Sequence, residues 1–442
     1  MTSIPSVYQP RSRGAVAGRL PQALYWTKVL GQFGFIQLIV QAVGLLSGIL
    51  LVRSLSKTDY AYFTLANTMQ ATMTLLADVG ISSGLSAIGG RVWQDRLRFG
   101  QLINTALHLR RWLLVFSQLV VLPTLLWLLI FNGASVGYAC ALTALTIVGL
   151  HYQVTNGVLV VIPRLHLQIK RVQNLDLVFA LGRLGLLFLA YCFFLNSFSA
   201  VLAAIISFAV QSYVLKRWAR QTVDLAAPVS DEDRRALWAI VRKQAPNDIY
   251  FCVQGQLMIW LIGVFGSTKN LADIGALGRL AVIFTIINSM MTSVILPRFA
   301  RCHSPRLLQA RYLQILGCFV IFGAALVMVA VLFPVPFLSV LGPKYMHLKA
   351  EVALMALSAS VGGVNGAVWA CNYSKGWIPS AWITIPLGLA IQTALMLFFD
   401  ISTVRGVLMM NIVSIFFAII INVWVGIREM GRAWPPGNLS LN

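Results

Sequence analysis

The chain has 442 residues, 58% of them hydrophobic and only 11% charged, and its 34 Lys and Arg outnumber its 13 Asp and Glu to give a formal net charge of +21. So few charges cannot cover a soluble surface. The basic residues fall between apolar runs instead of forming a separate basic domain with stacking aromatics, so no nucleic-acid partner is expected from the charge.

Taken in chain order, the first 28 residues are polar and basic and lead straight into a full-length apolar run. With no short h-region before a small-residue cleavage site, that first helix is expected to remain as a signal anchor. Apolar runs of roughly 20 residues, the length that crosses a bilayer core as a helix, then recur at 31–52, 61–88, 112–131, 136–162, 176–195 and 199–215. A second set covers 247–266, 275–296, 312–333, 351–371, 377–399 and 406–427. The reading is an all-α polytopic membrane protein of about twelve transmembrane helices, in two six-helix bundles around a central cavity.

Basic residues crowd every second gap. Arg91, Arg96, Arg98, Arg110 and Arg111 fill the second, Arg164, Lys170 and Arg171 the fourth, and Lys216 to Lys243 the sixth, with Arg298 to Arg311 in the eighth. By the positive-inside rule this places both termini in the cytoplasm of a bacterial inner membrane. The expected organisation is a cytoplasmic basic N-terminus (1–30), an N-terminal bundle (31–215), a cytoplasmic linker (216–244), a C-terminal bundle (245–427) and a cytoplasmic tail (428–442). Within the linker, Ser230 followed by Glu232 and Asp233 marks the start of an amphipathic helix, 231–243, expected to lie on the membrane surface. The two halves echo one another weakly. Leu51 to Leu76 and Leu261 to Ile287 each carry a Ser-Lys or Thr-Lys turn, then Asp59 or Asp273 ahead of the next helix.

Support for catalysis is thin. There is no HExxH or Walker A pattern, and the five histidines make no ligand set. Gly80 to Gly84 is a formal GxSxG but ends a membrane helix, where a nucleophile elbow needs a strand before it. Asp231 to Asp233 is a formal DxD in a polar linker. No large loop is expected beyond the membrane, and Asp59, Asp273, His347, Glu351 and Asp400 are scattered along that side. Cys140, Cys192, Cys252, Cys302, Cys318 and Cys371 contain no CxxC pair and are expected as free thiols; no metal and no cofactor are expected.

Three segments resemble the polysaccharide-transporter branch of the multidrug/oligosaccharidyl-lipid/polysaccharide (MOP) exporter superfamily, which contains the Wzx-type O-antigen flippases. They are Gly48 to Leu85 with its Asp78-Val79-Gly80 element, Arg242 to Arg301 with Pro246 and the closing LPRFAR, and LGPKY at Leu341 to Tyr345. Ala276, Leu277, Gly278 and Arg279 stand where the family usually has an aromatic. The resemblance implies a flippase that moves a polyprenyl-pyrophosphate-linked oligosaccharide between leaflets for O-antigen, capsule or exopolysaccharide assembly, beside a polysaccharide polymerase and a chain-length regulator. A cation-coupled multidrug pump of the same superfamily and a membrane glycan polymerase or ligase are the alternatives.

For such a substrate the sugar needs a wet path, because each hydroxyl stripped of partners costs several kcal/mol, and the pyrophosphate needs cations. Arg183 and Arg279, the basic residues inside spans, are the leading candidates, with Arg53 and Arg298 at span ends. Pairing with Asp176 or Asp273 for helix packing is the rival role for the first two, and snorkelling to the headgroups for the last two. Asp78 and Asp248 are candidates for a proton or sodium coupling site or a gate, against a cap or an interhelical hydrogen bond. Asn67, Gln70 and Thr74, and Gln254 and Gln256, give polar helix faces consistent with a cavity wall.

Overall fold

The computed structural model describes residues 19–166, 168–281, 305–375 and 381–433, together with 296, 299 and 377. Every regular element among them is helical. The first half comprises α1 (Arg19–Ser54), α2 (Lys57–Asp78), α3 (Ile81–Val92), α4 (Arg96–Phe131), α5 (Val136–Leu159), the short α6 (Val161–Leu165), α7 (Ile169–Phe193) and α8 (Ser197–Thr222). The second comprises α9 (Asp231–Phe265), α10 (Thr268–Leu280), α11 (Pro305–Leu332), α12 (Pro334–Leu341), a 3-10 turn (Pro343–Tyr345), α13 (Lys349–Ser374), α14 (Ala381–Phe398) and α15 (Val404–Ala433).

Ten of these helices are long and apolar enough to cross a membrane, or eleven if α2 and α3, bent by 43° at their junction, count as one span. The chain is a multi-pass membrane protein. Large apolar side chains lie bare on its flanks, among them Phe193 at 82% exposed and Trp382 at 87%, which only a lipid solvent tolerates. Starts are set by short polar side chains that satisfy free backbone N–H groups. Ser56 accepts from Asp59 N at 3.0 Å, Asp95 from Leu97 N and Arg98 N, and Asn196 forms a reciprocal capping box with Ser199. Ser267 does the same for α10, which therefore begins at Thr268, ahead of the expected 275. Most of that eighth span lies outside the described residues.

The face where α1 begins carries most of the basic residues and is called the basic face below. The linker departs from expectation there. Residues 216–222 finish α8, and 231–243 are no separate surface helix, because α9 runs unbroken through Pro246 to Phe265. The reason is burial. Asp233, Leu237 and Val241 form one stripe at fourfold spacing, buried against α3 and α4, where Leu237 and Val241 join a core with Leu85, Phe99 and Leu102. Asp233 pairs there with Arg98. The second half thus leans its first helix on the first half, while α11, α13, α14 and α15 pack mainly on one another.

Candidate functional site

Two groups of the candidate residues come together, at different depths. The first forms where α2 lies along α10, the two segments that echo each other in sequence. The Tyr60 hydroxyl donates to the Gly275 carbonyl at 3.1 Å, and the helices can approach so closely because Gly275 lacks a side chain. A Cβ there would stand 2.6 Å from Thr64 Oγ1. One turn further along α10, Arg279 Nε donates to Tyr60 Oη at 3.2 Å while its side chain lies flat on Gly48 of α1. Arg183 of α7, which packs against α1, is close enough for the two guanidinium charges to repel, and its Nε is buried without a partner.

At 1.5 Å per residue, Arg279 is about 17 Å below the start of α10 and Arg183 about 15 Å from the end of α7, so both sit near mid-depth. Neither has a carboxylate within ion-pair distance among the described residues. Of the expected rivals, Asp273 is occupied elsewhere, binding Lys57 Nζ at 2.8 Å and His347 Nε2 at 2.9 Å, and Asp176 makes no ion pair with either arginine.

Those Asp273 contacts belong to a clasp that closes the seam between the halves on the face opposite the basic one. The carboxylate and imidazole that are scattered in sequence meet there, Asp273 almost fully buried. Arg53, at the end of α1, donates through Nε to the Val340 carbonyl at 2.9 Å and through its terminal nitrogen to Ser339, capping α12. Lys344 returns the contact, donating to the carbonyls of Arg53 and Leu55 at 3.1 and 2.8 Å. Tyr345, fully buried, lies under Lys57 with its ring centroid 5.2 Å from Nζ; burial, helped by Tyr60 and Asp273, holds its phenol above the ordinary pKa. Asn132 and Thr268 add bonds across the same seam. The LGPKY segment is thus the clasp's second arm, and Arg53 is placed in the clasp with its donors engaged. Arg298 lies outside the described residues.

The second group is at the α2–α3 bend. Gly80 makes the break, with φ +74, a left-handed conformation that disfavours any Cβ, and a Cβ there would also meet Gln244 at 2.6 Å. Asp78, at the end of α2, accepts from Ser82 N at 3.2 Å and Ser82 Oγ at 2.7 Å, and lies 3.5 Å from Arg110 of α4. Asp248 of α9 faces the same bend, near the Gly80 backbone and within range of the Asp78 charge. Sequence reasoning assigns Arg110 to a gap; it is buried. The formal GxSxG is this helix break, with no strand before it.

The polar faces are joined within each half. Gln70 bonds Gln153 at 3.0 Å on the first side, while on the second Gln392 donates to Gln254 and, at 3.2 Å, to Ser414. Their amides therefore serve helix–helix contacts. Tyr60 and Gly48 are the site residues that sequence reasoning passes over. Both lie in the Gly48 to Leu85 segment that carries the resemblance, which is the one signal that points at them.

No protein-family model matches the chain, and no curated protein matches it. Solved structures do. The chain is similar to an inward-facing multidrug resistance MATE family transporter of the MOP superfamily, with a TM-score of 0.69 at 17% identity over 91% of this chain and 99% of that one. An outward-facing multidrug resistance MATE family transporter gives 0.61 at 16% identity over 90% and 95%. A MOP superfamily transporter from Pyrococcus furiosus, described by a binding pocket of reverse polarity that suggests a different function, gives 0.57 at 16% over 91% and 96%. The fold is therefore the twelve-helix fold of the MATE transporters.

Proposed function

We propose that the chain is an alternating-access transporter that moves an anionic, polyprenyl-pyrophosphate-linked oligosaccharide from the cytoplasmic to the periplasmic leaflet. The observation that carries this reading is the Arg183–Arg279 pair, two cations at mid-depth with no carboxylate at ion-pair distance among the described residues. Holding like charges together in a low-dielectric interior is costly, and an entering pyrophosphate relieves it with charge-assisted bonds to planar donors. Tyr60 Oη fixes the Arg279 guanidinium in place, so less side-chain freedom is lost on binding.

The clasp supports alternation. Interhelical hydrogen bonds in membranes contribute on average about 0.6 kcal/mol each, so a handful hold the periplasmic side shut by a few kcal/mol, a gap that substrate binding can reverse. Closed there, the chain would receive substrate from the basic face, which this reading makes cytoplasmic. A phosphatase reporter inserted near Pro228 or fused after Gly437 is then inactive.

A second reading, efflux of cationic compounds, has its own support in the multidrug resistance neighbours and in Asp78 and Asp248 meeting at the bend. One experiment separates the readings. In cells lacking the gene, side-resolved labelling should find lipid-linked units accumulating on the cytoplasmic leaflet. Units reaching the periplasm at the wild-type rate, together with raised sensitivity to cationic compounds, would establish the efflux reading instead. Single units exposed outside without polymer would point to a polymerase.

A further inference from the structure

A cavity of about 530 Å³ opens at the basic face of the first half, away from the seam. Its walls come from α4, α5, α8 and the 223–230 linker, and its lining includes His108, Arg111, Lys216 and Arg220 but no carboxylate. Asp224 is the acidic residue of the 223–230 linker, and its Oδ1 accepts from the Ala226 N–H at 2.9 Å. The walls are pinned. Asn104 Nδ2 donates to the Leu225 and Ala227 carbonyls at 3.0 and 2.8 Å, Ser230 N donates to Thr105 Oγ1 at 3.0 Å, and Arg96 donates to the Arg220 carbonyl at 2.8 Å.

Basic residues at a membrane protein's basic face ordinarily just orient it. The Arg235, Arg242 and Lys243 group around Trp238 is of that kind, lying on the single helix α9 in a shallow, open groove. The first cavity differs in being walled by three helices, two of which, α4 and α8, bring their basic residues around one space. It also sits at headgroup level, because Arg111 immediately precedes the apolar run 112–131 and Lys216 immediately follows 199–215. Trp112, largely exposed, donates to His108 Nε2 at 3.1 Å, an aromatic at the polar–apolar boundary.

Toward the membrane centre, α5 packs on both α4 and α8. Exposed Val115, Phe116 and Leu119 of α4 and Val210 and Tyr213 of α8 flank it, apolar flanks for acyl chains directly beyond the cations. His151 of α5 lies within range of the Arg111 and Lys216 charges, which adds no acid to the site.

We propose that this cavity binds the phosphodiester headgroup of an anionic glycerophospholipid, with its acyl chains along the α4 and α8 flanks. The acyl-chain path makes the ligand a lipid and not a free anion, and a basic pocket between helices at headgroup level is the geometry that such headgroups favour. Occupancy would brace the linker that joins the two halves, since the linker is one wall.

The test uses the full-length protein, delipidated in neutral detergent, with dioleoylphosphatidylglycerol as probe and dioleoylphosphatidylcholine and inorganic phosphate as comparisons. Native mass spectrometry reads bound lipid and a thermal melt reads stability. Phosphatidylglycerol should remain bound and raise the melting temperature, while phosphatidylcholine and phosphate do neither. Arg111→Gln with Lys216→Gln should weaken phosphatidylglycerol about tenfold or more, each surface cation being worth about 1 kcal/mol toward anionic lipid. Arg91→Gln with Arg428→Gln, the same charge change at exposed positions outside the cavity, should leave it within about twofold. Equal weakening by both pairs would reduce the effect to general charge and overturn the site. Equal retention of phosphatidylcholine, or stabilisation by phosphate alone, would overturn the lipid assignment. If the first double variant does not fold, Lys216→Gln alone decides, and unchanged affinity overturns the proposal.

Discussion

Arg279, half-buried, and Arg110, buried, are both guanidinium groups pressed against a glycine of a neighbouring helix, yet their charged neighbours differ. Arg110 lies on Gly157 of α5, with Asp78 at 3.5 Å as counter-charge. Arg279 lies on Gly48 of α1, with a tyrosine hydroxyl and another arginine as neighbours. A buried cation with its own carboxylate is part of the scaffold, because removing either partner strands the other. Arg279, half-buried beside another arginine, is on the proposed reading open to a charge from outside. On the proposed reading, that contrast in counter-charge separates a packing arginine from a binding one.

The largest expected effect comes from removing the unpaired charges. Arg183→Ala with Arg279→Ala should lower polysaccharide delivery about a hundredfold, since charge-assisted bonds contribute about 1.5–3 kcal/mol each. Its melting temperature should hold or rise as the repulsion goes. A fall in stability with transport intact would reverse the roles assigned to the two arginines.

Next is the paired site. Asp78→Asn leaves Arg110 buried without a counter-charge and should cost about 2–3 kcal/mol in denaturant unfolding, toward the low end for a broken buried pair because the carboxylate is partly open to solvent. Asp78→Asn with Arg110→Met should recover most of that loss. If stability is unchanged but transport loses its response to an imposed proton or sodium gradient, Asp78 is a coupling residue instead.

The glycines sharpen the contrast further. A Cβ at Gly157 would stand 2.6 Å from an Arg110 nitrogen, so Gly157→Ala should destabilise by about 1–3 kcal/mol through overpacking. At Gly48 the Cβ would stand 3.0 Å from Arg279 Cδ, a contact the side chain can yield to by shifting its head. Gly48→Ala should therefore weaken apparent substrate affinity several-fold while stability stays within about 0.5 kcal/mol. The smallest effect is expected from Arg279→Lys, which keeps the charge but loses the fork and should retain part of the transport rate. Full activity there would mean that the site needs only a point charge.

Much of the scaffold is legible along the chain. Hydropathy marks the long membrane-crossing helices, though not the short α3, α6 and α12, and the Ser, Asp and Asn caps mark several starts, because both signals are local. Arg183 and Arg279 also stand out by rule, as cations inside apolar runs. What local signals miss is partnership. Arg110 reads as a loop charge because α4 extends well below its apolar stretch, and only the fold turns it inward to Asp78. Asp273 reads as a partner for Arg279, six residues on, but the two point to different neighbours, and Asp273 meets Lys57 and His347 from distant segments. Pro246 reads as a helix start, yet the buried stripe Asp233, Leu237 and Val241 carries α9 through it.

The sequence by itself determined that this is a multi-pass helical membrane protein, which stretches cross the membrane and that Arg183 and Arg279 sit within them, because the length of a bilayer crossing and the cost of a charge in hydrocarbon act residue by residue. Only the tertiary structure decided which charges have counter-charges, that the two echoing segments lie side by side and that the halves are clasped on one face. Those facts depend on which helix faces meet across separations of some two hundred residues, and no period or spacing along the chain specifies that meeting.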